Sequence, residues 1–349
     1  MFFVKKFYIL IFILIALSKF VSCDTECPNI ISFGDRRTNK NTLRLVQYNV
    51  EWLFIDYCSN SNCPGNGCTW KTLDDANKHM SYVANVVSQL NPDILNLCEV
   101  EGCDELNFLL ETMNKSSDYN PYLKKGTDTG TGQNVGLITK IDPVISLYRS
   151  DEKVTYPIPE STCNYLGGPS STSVSKHYIT EYNINGYKIA FIGAHLIAIP
   201  TDPARCAQRE AQAQILQNII YSYLAKGYEI IVSGDMNDYD GDVLDINSDI
   251  PLSSALSIMK GQKGLKKGLY SLTNIAVKIV QSERYSDWYD SDNNCNTSSQ
   301  RDYSMIDHIL ISPNLAKKVV NAYIYHGYKE YCGKWDSDHY PVVIDFSFI

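Results

Sequence analysis

The sequence predicts an α/β (α+β) fold in which two packed mixed β-sheets are flanked by helices. Three observations carry this. Apolar strand-like runs alternate with amphipathic helical runs. One neighbouring pair of runs is joined by Asn185-Gly186, a two-residue hairpin signal that requires antiparallel pairing and so excludes a purely parallel sheet. No segment repeats at a period of about 20 to 50 residues, which removes solenoids and propellers.

In chain order, Leu43 to Val50 reads as the first strand. Thr72 then caps a helix whose Leu73, Ala76, Met80, Val83, Val87 and Leu90 recur at spacings of three and four and so share a face. Asn91-Pro92 ends that helix, because the proline cannot continue it. Ile94 to Val100 and Val135 to Thr139 follow as strands, and Tyr178 to Tyr182 with Tyr187 to His195 form the hairpin around Asn185-Gly186. Pro203 to Ala225, rich in Ala and Gln with Ile215, Leu216, Ile219 and Ile220, reads as a long helix stopped before Gly227. Glu229 to Ser233, Met305 to Ile311, Val320 to Tyr325 and Tyr340 to Phe348 complete the strands. No low-complexity block interrupts the chain, so residues 41–349 are expected to form one domain behind a polar lead of residues 24–40.

Lys5 and Lys6 precede a short apolar run, Phe7 to Leu17, and then small residues through Ser22 and Cys23. That is the pattern of a secretory signal peptide over residues 1–23; the run is shorter than the roughly 20 residues of a permanent membrane span. The expectation is a secreted, monomeric protein without a stable membrane anchor. Of 11 Cys, cleavage after Cys23 leaves an even number free to pair, which suits an oxidising compartment. Clustered Cys58, Cys63 and Cys68 read as partners in local disulfides, with a zinc site as the alternative. Asn114-Lys115-Ser116 and Asn296-Thr297-Ser298 are N-glycosylation acceptors and mark surface loops.

A net charge of −8 argues against a protein held on nucleic acid by broad counterion release. It leaves room for an enzyme that grips a few phosphates and lets go. The basic segment with Lys260, Lys263, Lys266 and Lys267 reads as a solvated loop or as a track for a nucleic-acid backbone. Asp238, Asp240, Asp242 and Asp245 could hold a structural Ca²⁺ or simply make turns.

Polar residues repeatedly stand where an apolar strand runs out: Asn49, Glu99, His195, Asp235 with Asn237, Asp307, and Asp338-His339. Each alone is an ordinary turn or strand-end residue; together they supply what a phosphodiester demands. Glu99 is a hard oxygen ligand for Mg²⁺, with Mn²⁺ or Ca²⁺ as alternatives. Asp235 suits water activation, with Asn237 two residues on along an extended chain to orient the water. His339 beside Asp307 or Asp338 can keep its proton and face the phosphate, and His195 is a second candidate, as leaving-group acid.

The ordered series Gln47-Tyr48-Asn49-Val50, Leu97-Cys98-Glu99-Val100, Gly193-Ala194-His195-Leu196, Gly234-Asp235-Met236-Asn237-Asp238, Ile306-Asp307-His308-Ile309 and Ser337-Asp338-His339-Tyr340-Pro341-Val342 resembles the endonuclease/exonuclease/phosphatase superfamily, which includes pancreatic-type deoxyribonucleases. The resemblance runs from about Leu43 to the end and implies a four-layered sandwich with the site at one edge of the two sheets. It implies Asn49, Glu99 and Asp338 at the metal, and His195, Asp235, Asn237, Asp307 and His339 as the catalytic set. Arg209 and Gln212, matching an Arg-x-x-Gln of the helix after His195, are implied to bind substrate. Glu51 departs from the deoxyribonucleases, which have a basic residue there. Nucleic acid is the expected substrate and phospholipid the alternative, since sphingomyelinases and inositol polyphosphate phosphatases share these motifs. A non-catalytic binding protein on this scaffold would have lost the residues that hold metal and activate water, and all of them are present.

Overall fold

The computed structural model describes residues 26–29, 34–59, 61–292, 294–296, 298–328 and 336–349. The signal-peptide segment and Cys332 lie outside them. In chain order the elements are β1 (Thr42–Leu53), α1 (Leu73–Leu90), β2 (Ile94–Val100), α2 (Cys103–Thr112), β3 (Asn120–Leu123), β4 (Asn134–Thr139), β5 (Val154–Tyr156), β6 (Ser170–Thr172), β7 (Lys176–Ile184) and β8 (Tyr187–His195). Then come α3 (Pro203–Leu224), β9 (Glu229–Asp235), α4 (Ala255–Met259), β10 (Thr273–Asn274), β11 (Asp287–Trp288), β12 (Tyr303–Ser304), β13 (Asp307–Ile311), β14 (Val319–Ile324) and β15 (Val342–Ser347).

Two mixed sheets stack face to face, one in the order β14-β15-β1-β2-β4-β3 and the other β10-β13-β9-β8-β7. Side chains alternate along each strand, and the alternation sorts them into layers. On β1, Leu43 and Leu45 join Ile94, Phe191, Ile231, Ile309 and Ile344 between the sheets. Val46, Tyr48 and Val50 point the other way, onto Met80 and Val83 of α1 and Leu106 of α2. On the second sheet Ala190, Ile192, Ile230 and Val232 meet Ala207, Ala211, Ile215 and Leu216 of α3. The result is the expected order of helices, sheet, sheet, helices.

Local chemistry explains the element ends. Thr72 accepts a hydrogen bond from Asp75 N, and Asn91 closes α1 in the left-handed region at φ 45°. Asp202 caps α3 by accepting from Arg205 N. Asn185 (φ 52°) and Gly186 (φ 84°) form the hairpin turn with Ile184 opposite Tyr187. Gly234 is required where β8 and β9 run side by side, because a Cβ there would lie 1.7 Å from the Ala194 carbonyl oxygen. The sequence reading leaves α2 unassigned; it is a short helix that buries Leu106, Leu109 and Leu110 immediately after β2.

The cysteine expectation needs correction. Cys27–Cys103 and Cys163–Cys206 are disulfides and Cys63 and Cys295 are also disulfide-bonded, but Cys58, Cys68 and Cys98 are buried free thiols. Cys98 faces inward on β2 against Gln47 and the Ala194 carbonyl. Cys58 and Cys68 pack with Phe54 and Trp70 in an apolar cluster beneath the end of β1. In the basic segment Lys263 and Lys267 are exposed, but Lys260 is buried and ion-paired to Asp240 at 2.5 Å and Asp242 at 2.7 Å. That pairing occupies two of the four carboxylates of the suggested Ca²⁺ loop. Asn114 and Asn296 are both exposed, and no helix among the described residues is long and apolar enough to cross a membrane.

Candidate active site

The alternation that puts Leu43 and Leu45 between the sheets also sends Gln47 and Asn49 there, so one strand face is apolar at one end and polar at the other. The same holds for Ile231, Ser233 and Asp235 on β9, and for Ile189, Phe191 and His195 on β8. Register then aligns the polar ends. Asp235 is paired with His195 on one side and Asp307 on the other, so three functional groups stand on adjacent strands.

Asn49 lies at the hub. Its Nδ2 donates to Asp235 Oδ2 at 3.0 Å and Glu99 Oε1 at 3.3 Å and is 3.3 Å from His339 Nε2. Its Oδ1 accepts from Glu51 N. Asn49 thus holds the carboxylates in place as a donor. Glu99 reaches the site because its own backbone is left-handed (φ 68°), which breaks the β2 register between Cys98 and Val100. Strain of this kind costs about 1–3 kcal/mol and is retained where surrounding structure fixes it. Here Trp52 N and the Asn49 amide hold the carboxylate.

His339 Nδ1 is 2.7 Å from Asp307 Oδ2, whose other oxygen accepts from Gln47 Nε2 at 3.1 Å. Its Nε2 faces Asp287 Oδ1 at 3.6 Å, Asp338 Oδ1 at 3.9 Å and Asp235 Oδ2 at 4.0 Å. Burial opposes charging this imidazole, but Asp307, then Asp338 and Asp287, outweigh it and hold the His339 pKa well above its usual value. His195 is the opposite case: burial, then Lys176 and His339, push it well below. It is therefore neutral at neutral pH and suited to donating a hydrogen bond. Its Nε2 is 3.5 Å from Asp235 Oδ2, and its buried Nδ1 has no partner.

Burial and then the Asp307 charge push the Asp235 carboxyl up to about 8. Asn237 N donates to Asp235 Oδ1, and Asn237 Nδ2 donates to the Leu196 carbonyl. Asn237 stands at φ 51°, so a left-handed turn and not an extended strand brings it beside Asp235.

Arg209 and Gln212, expected to bind substrate, are placed differently, and of the two Gln212 lines the cleft beside His195. Arg209 is fully buried, donating to the Ile197 and Pro200 carbonyls with Nε 3.5 Å from Asp238. Gln212 accepts from Ile197 N and donates to the Ser173 carbonyl. Both shape the loop after His195. The sequence reading missed Asp287, Gln47 and Ser337. Asp287 comes from β11, bridges to His339, and accepts from Ser304 Oγ. Ser337 Oγ donates to the Asn49 carbonyl and accepts from His339 N, tying the two loops. Gln47 stands two residues before Asn49 on the same strand face, a signal available to period-two reading; Asp287 has no local signal. Glu51, the departure noted above, accepts from Asp338 N at 3.1 Å and so braces the loop of His339.

Two overlapping groups, Asp235 with Asp307 and His339, and Asp287 with Asp338 and His339, bring oxygen and nitrogen donors within 4.8 Å of one another. Burial, with Asp287 and Glu99 nearby, raises Asp338 to about 7, and its buried Oδ1 has no hydrogen-bond partner. Crowded, mostly oxygen donors with an unsatisfied oxygen among them fit a hard divalent cation. The fit has a consequence for stability. Carboxyls raised from 3.8 to about 8 and about 7 bind protons in the folded chain that the unfolded chain has lost, so stability falls as pH rises from about 4 towards 8. The raised His339 acts in the same direction, its contribution being complete below the unfolded pKa and lost as pH climbs through the folded one. In chelator, the melting temperature is expected to drop between pH 5 and pH 8, and added Mg²⁺ to restore most of the difference. A pH-independent melting temperature would contradict this account of the site.

Residues 46–339 match the sequence model of the endonuclease/exonuclease/phosphatase family. The fold matches the 3′ phosphatase NExo from Neisseria bound to product DNA hairpin, at 15% identity and TM-score 0.55 over 87% of this chain and 99% of that one. An AP endonuclease from Archaeoglobus fulgidus matches at 18% identity and TM-score 0.53, over 87% and 99%. Humanized D. rerio TDP2 matches at 15% identity and TM-score 0.52, over 88% and 99%. No curated protein matches significantly.

Proposed function

Because this chain belongs to the endonuclease/exonuclease/phosphatase family, we propose that it is a secreted, Mg²⁺-dependent phosphodiesterase that hydrolyses nucleic acid with activated water. The observation carrying this reading is the convergence of Glu99, Asp235, Asp307, Asp338 and His339, far apart in sequence, on Asn49 and on one another. The DNA named with the Neisseria phosphatase supports a nucleic-acid substrate, and the Cys27–Cys103 and Cys163–Cys206 disulfides suit an extracellular location.

Glu99, Asp338 and Asp287 would hold the cation, which supplies positive charge for the phosphate oxygens and favours ionised Asp235. Asp235, its carboxylate aimed by the Asn49 amide and Asn237 N, accepts a proton from water as the water oxygen bonds to phosphorus and the bond from phosphorus to the leaving oxygen breaks, that oxygen taking a proton from solvent. His339, kept protonated by Asp307, donates to a phosphoryl oxygen as charge builds. His195, neutral, donates a hydrogen bond on the side of the cleft that it lines.

The test is a substrate panel of plasmid DNA, RNA and sphingomyelin vesicles, incubated with purified protein with and without chelator. Chelator-sensitive loss of DNA or RNA with intact sphingomyelin is expected. Sphingomyelin consumed while both nucleic acids survive would transfer the protein to the phospholipase alternative, and no turnover of any substrate would sink the enzyme reading.

A further inference from the structure

The cleft that opens at Glu99 and His195 continues beyond them. It encloses about 770 Å³ between the 127–133 segment, the 171–176 segment around β6, and the first turn of α3. The chain carries a net charge of −8, yet this wall bears three cations, Lys153, Lys176 and Arg205, against two acids, Glu99 and Asp128.

Asp128 offsets Lys176, and neither acid has an ion pair with Lys153 or Arg205. Glu99 is engaged with the Asn49 amide and Trp52 N. Asp128 accepts from Gly130 N, Thr131 N and Thr131 Oγ1 within its own turn. Lys176 stands opposite His195 in the β7–β8 pairing, buried, with Nζ 3.0 Å from Gln133 Oε1 and 3.8 Å from Asp128 Oδ2. Lys153 is exposed and Arg205 half-buried, and neither has a side-chain ion-pair partner among the described residues. Two cations that face one cleft with no ion-pair partner among the described residues suit an anion.

The rest of the lining narrows the class. Seven of its residues are Ser or Thr, whereas its apolar members are only Trp52, Ile197 and Ala198. Hydroxyls suit phosphate and sugar oxygens, and such a wall gives acyl chains almost nothing to bury against. Trp52 offers an aromatic surface of the kind on which bases stack.

We propose that Lys153 and Arg205, with Lys176 at the cleft floor, form a second phosphate subsite, so that the substrate is a nucleic-acid strand held through at least one phosphate besides the scissile one. The proposal rests on the phosphodiesterase reading for its meaning but not for its test. A short fluorescent single-stranded oligonucleotide is titrated in chelator, where nothing turns over, with the parent protein and with K153Q/R205Q. The double variant is expected to bind at least tenfold more weakly. The slope of log affinity against log salt should flatten by about 1.4, at about 0.7 per single-strand phosphate contact. In a second arm, kcat/KM for bis(p-nitrophenyl) phosphate, which carries one phosphate, should change less than twofold in Mg²⁺. Unchanged oligonucleotide affinity, undetectable binding by the parent protein, or an equal loss on both substrates would overturn the subsite. A parent protein that hydrolyses neither substrate but binds the oligonucleotide through Lys153 and Arg205 would overturn the phosphodiesterase reading and leave the subsite standing.

Discussion

Asp235→Ala protein is expected to lose hydrolysis by on the order of 10⁴-fold in kcat while still unfolding cooperatively in a melt. The neighbouring groups are committed elsewhere: Glu99, Asp287 and Asp338 are those that would hold the cation. Asp307 is committed to His339 Nδ1 and Gln47, and His339 is held in its protonated form. His195 is neutral but sits on the cleft side, its Nε2 directed at Asp235 itself. Losing the carboxylate therefore removes the acceptor and leaves the Asn49 amide with Glu99 alone among its carboxylate partners. The fold should survive because Asp235 ends β9, and its backbone pairing with His195 and Asp307 does not depend on the side chain. Comparing kcat on DNA with the circular-dichroism melt separates the two effects. A variant retaining more than a tenth of parental activity would exclude Asp235 as the base.

Much of this site was legible because it obeys a simple geometric rule. Period-two alternation aligns Asn49 with Leu43 and Leu45, Asp235 with Ile231, and His195 with Ile189 and Phe191, so residues that end apolar strands had to share one inter-sheet face. The long helices were equally plain, since α1 and α3 carry side-chain caps at Thr72 and Asp202. What escaped was set by tertiary contact. Strands of two residues such as β11 show no periodicity, yet β11 delivers Asp287 to His339. Backbone strain was equally hidden. Glu51, Trp52 and Glu99 all have positive φ, and nothing in their residue types announces it. The Arg-x-x-Gln of α3 records proximity to the site but not exposure: Arg209 supports the Ile197–Pro200 loop from beneath, whereas Gln212 lines the cleft.

Asp307→Asn is expected to change the pH dependence of the enzyme as well as its rate, and this distinguishes a positioning role from a merely structural one. Asp307 heads the charges that hold His339 protonated against the penalty of burial. An amide at that position keeps one acceptor but removes the charge, so burial gains weight and the imidazole pKa falls towards and below its usual value. The basic limb of the kcat/KM profile, which reports the acid form of His339, should move to lower pH by at least about one unit. At pH 8 the loss should reach about 10²-fold or more, shrinking when assayed near pH 6. His339→Ala, by contrast, should lose about 10³-fold with no recovery at low pH, because no imidazolium remains to be restored. The same charges fix the direction for stability: the parental His339 contribution is complete below the unfolded histidine pKa and vanishes as pH rises through the folded value, so Asp307→Asn should lower the melting temperature most below the unfolded pKa, the deficit shrinking as pH rises towards the folded value. A basic limb that stays in place in Asp307→Asn, with activity lost equally at pH 6 and pH 8, would show that Asp307 holds the ring by geometry alone.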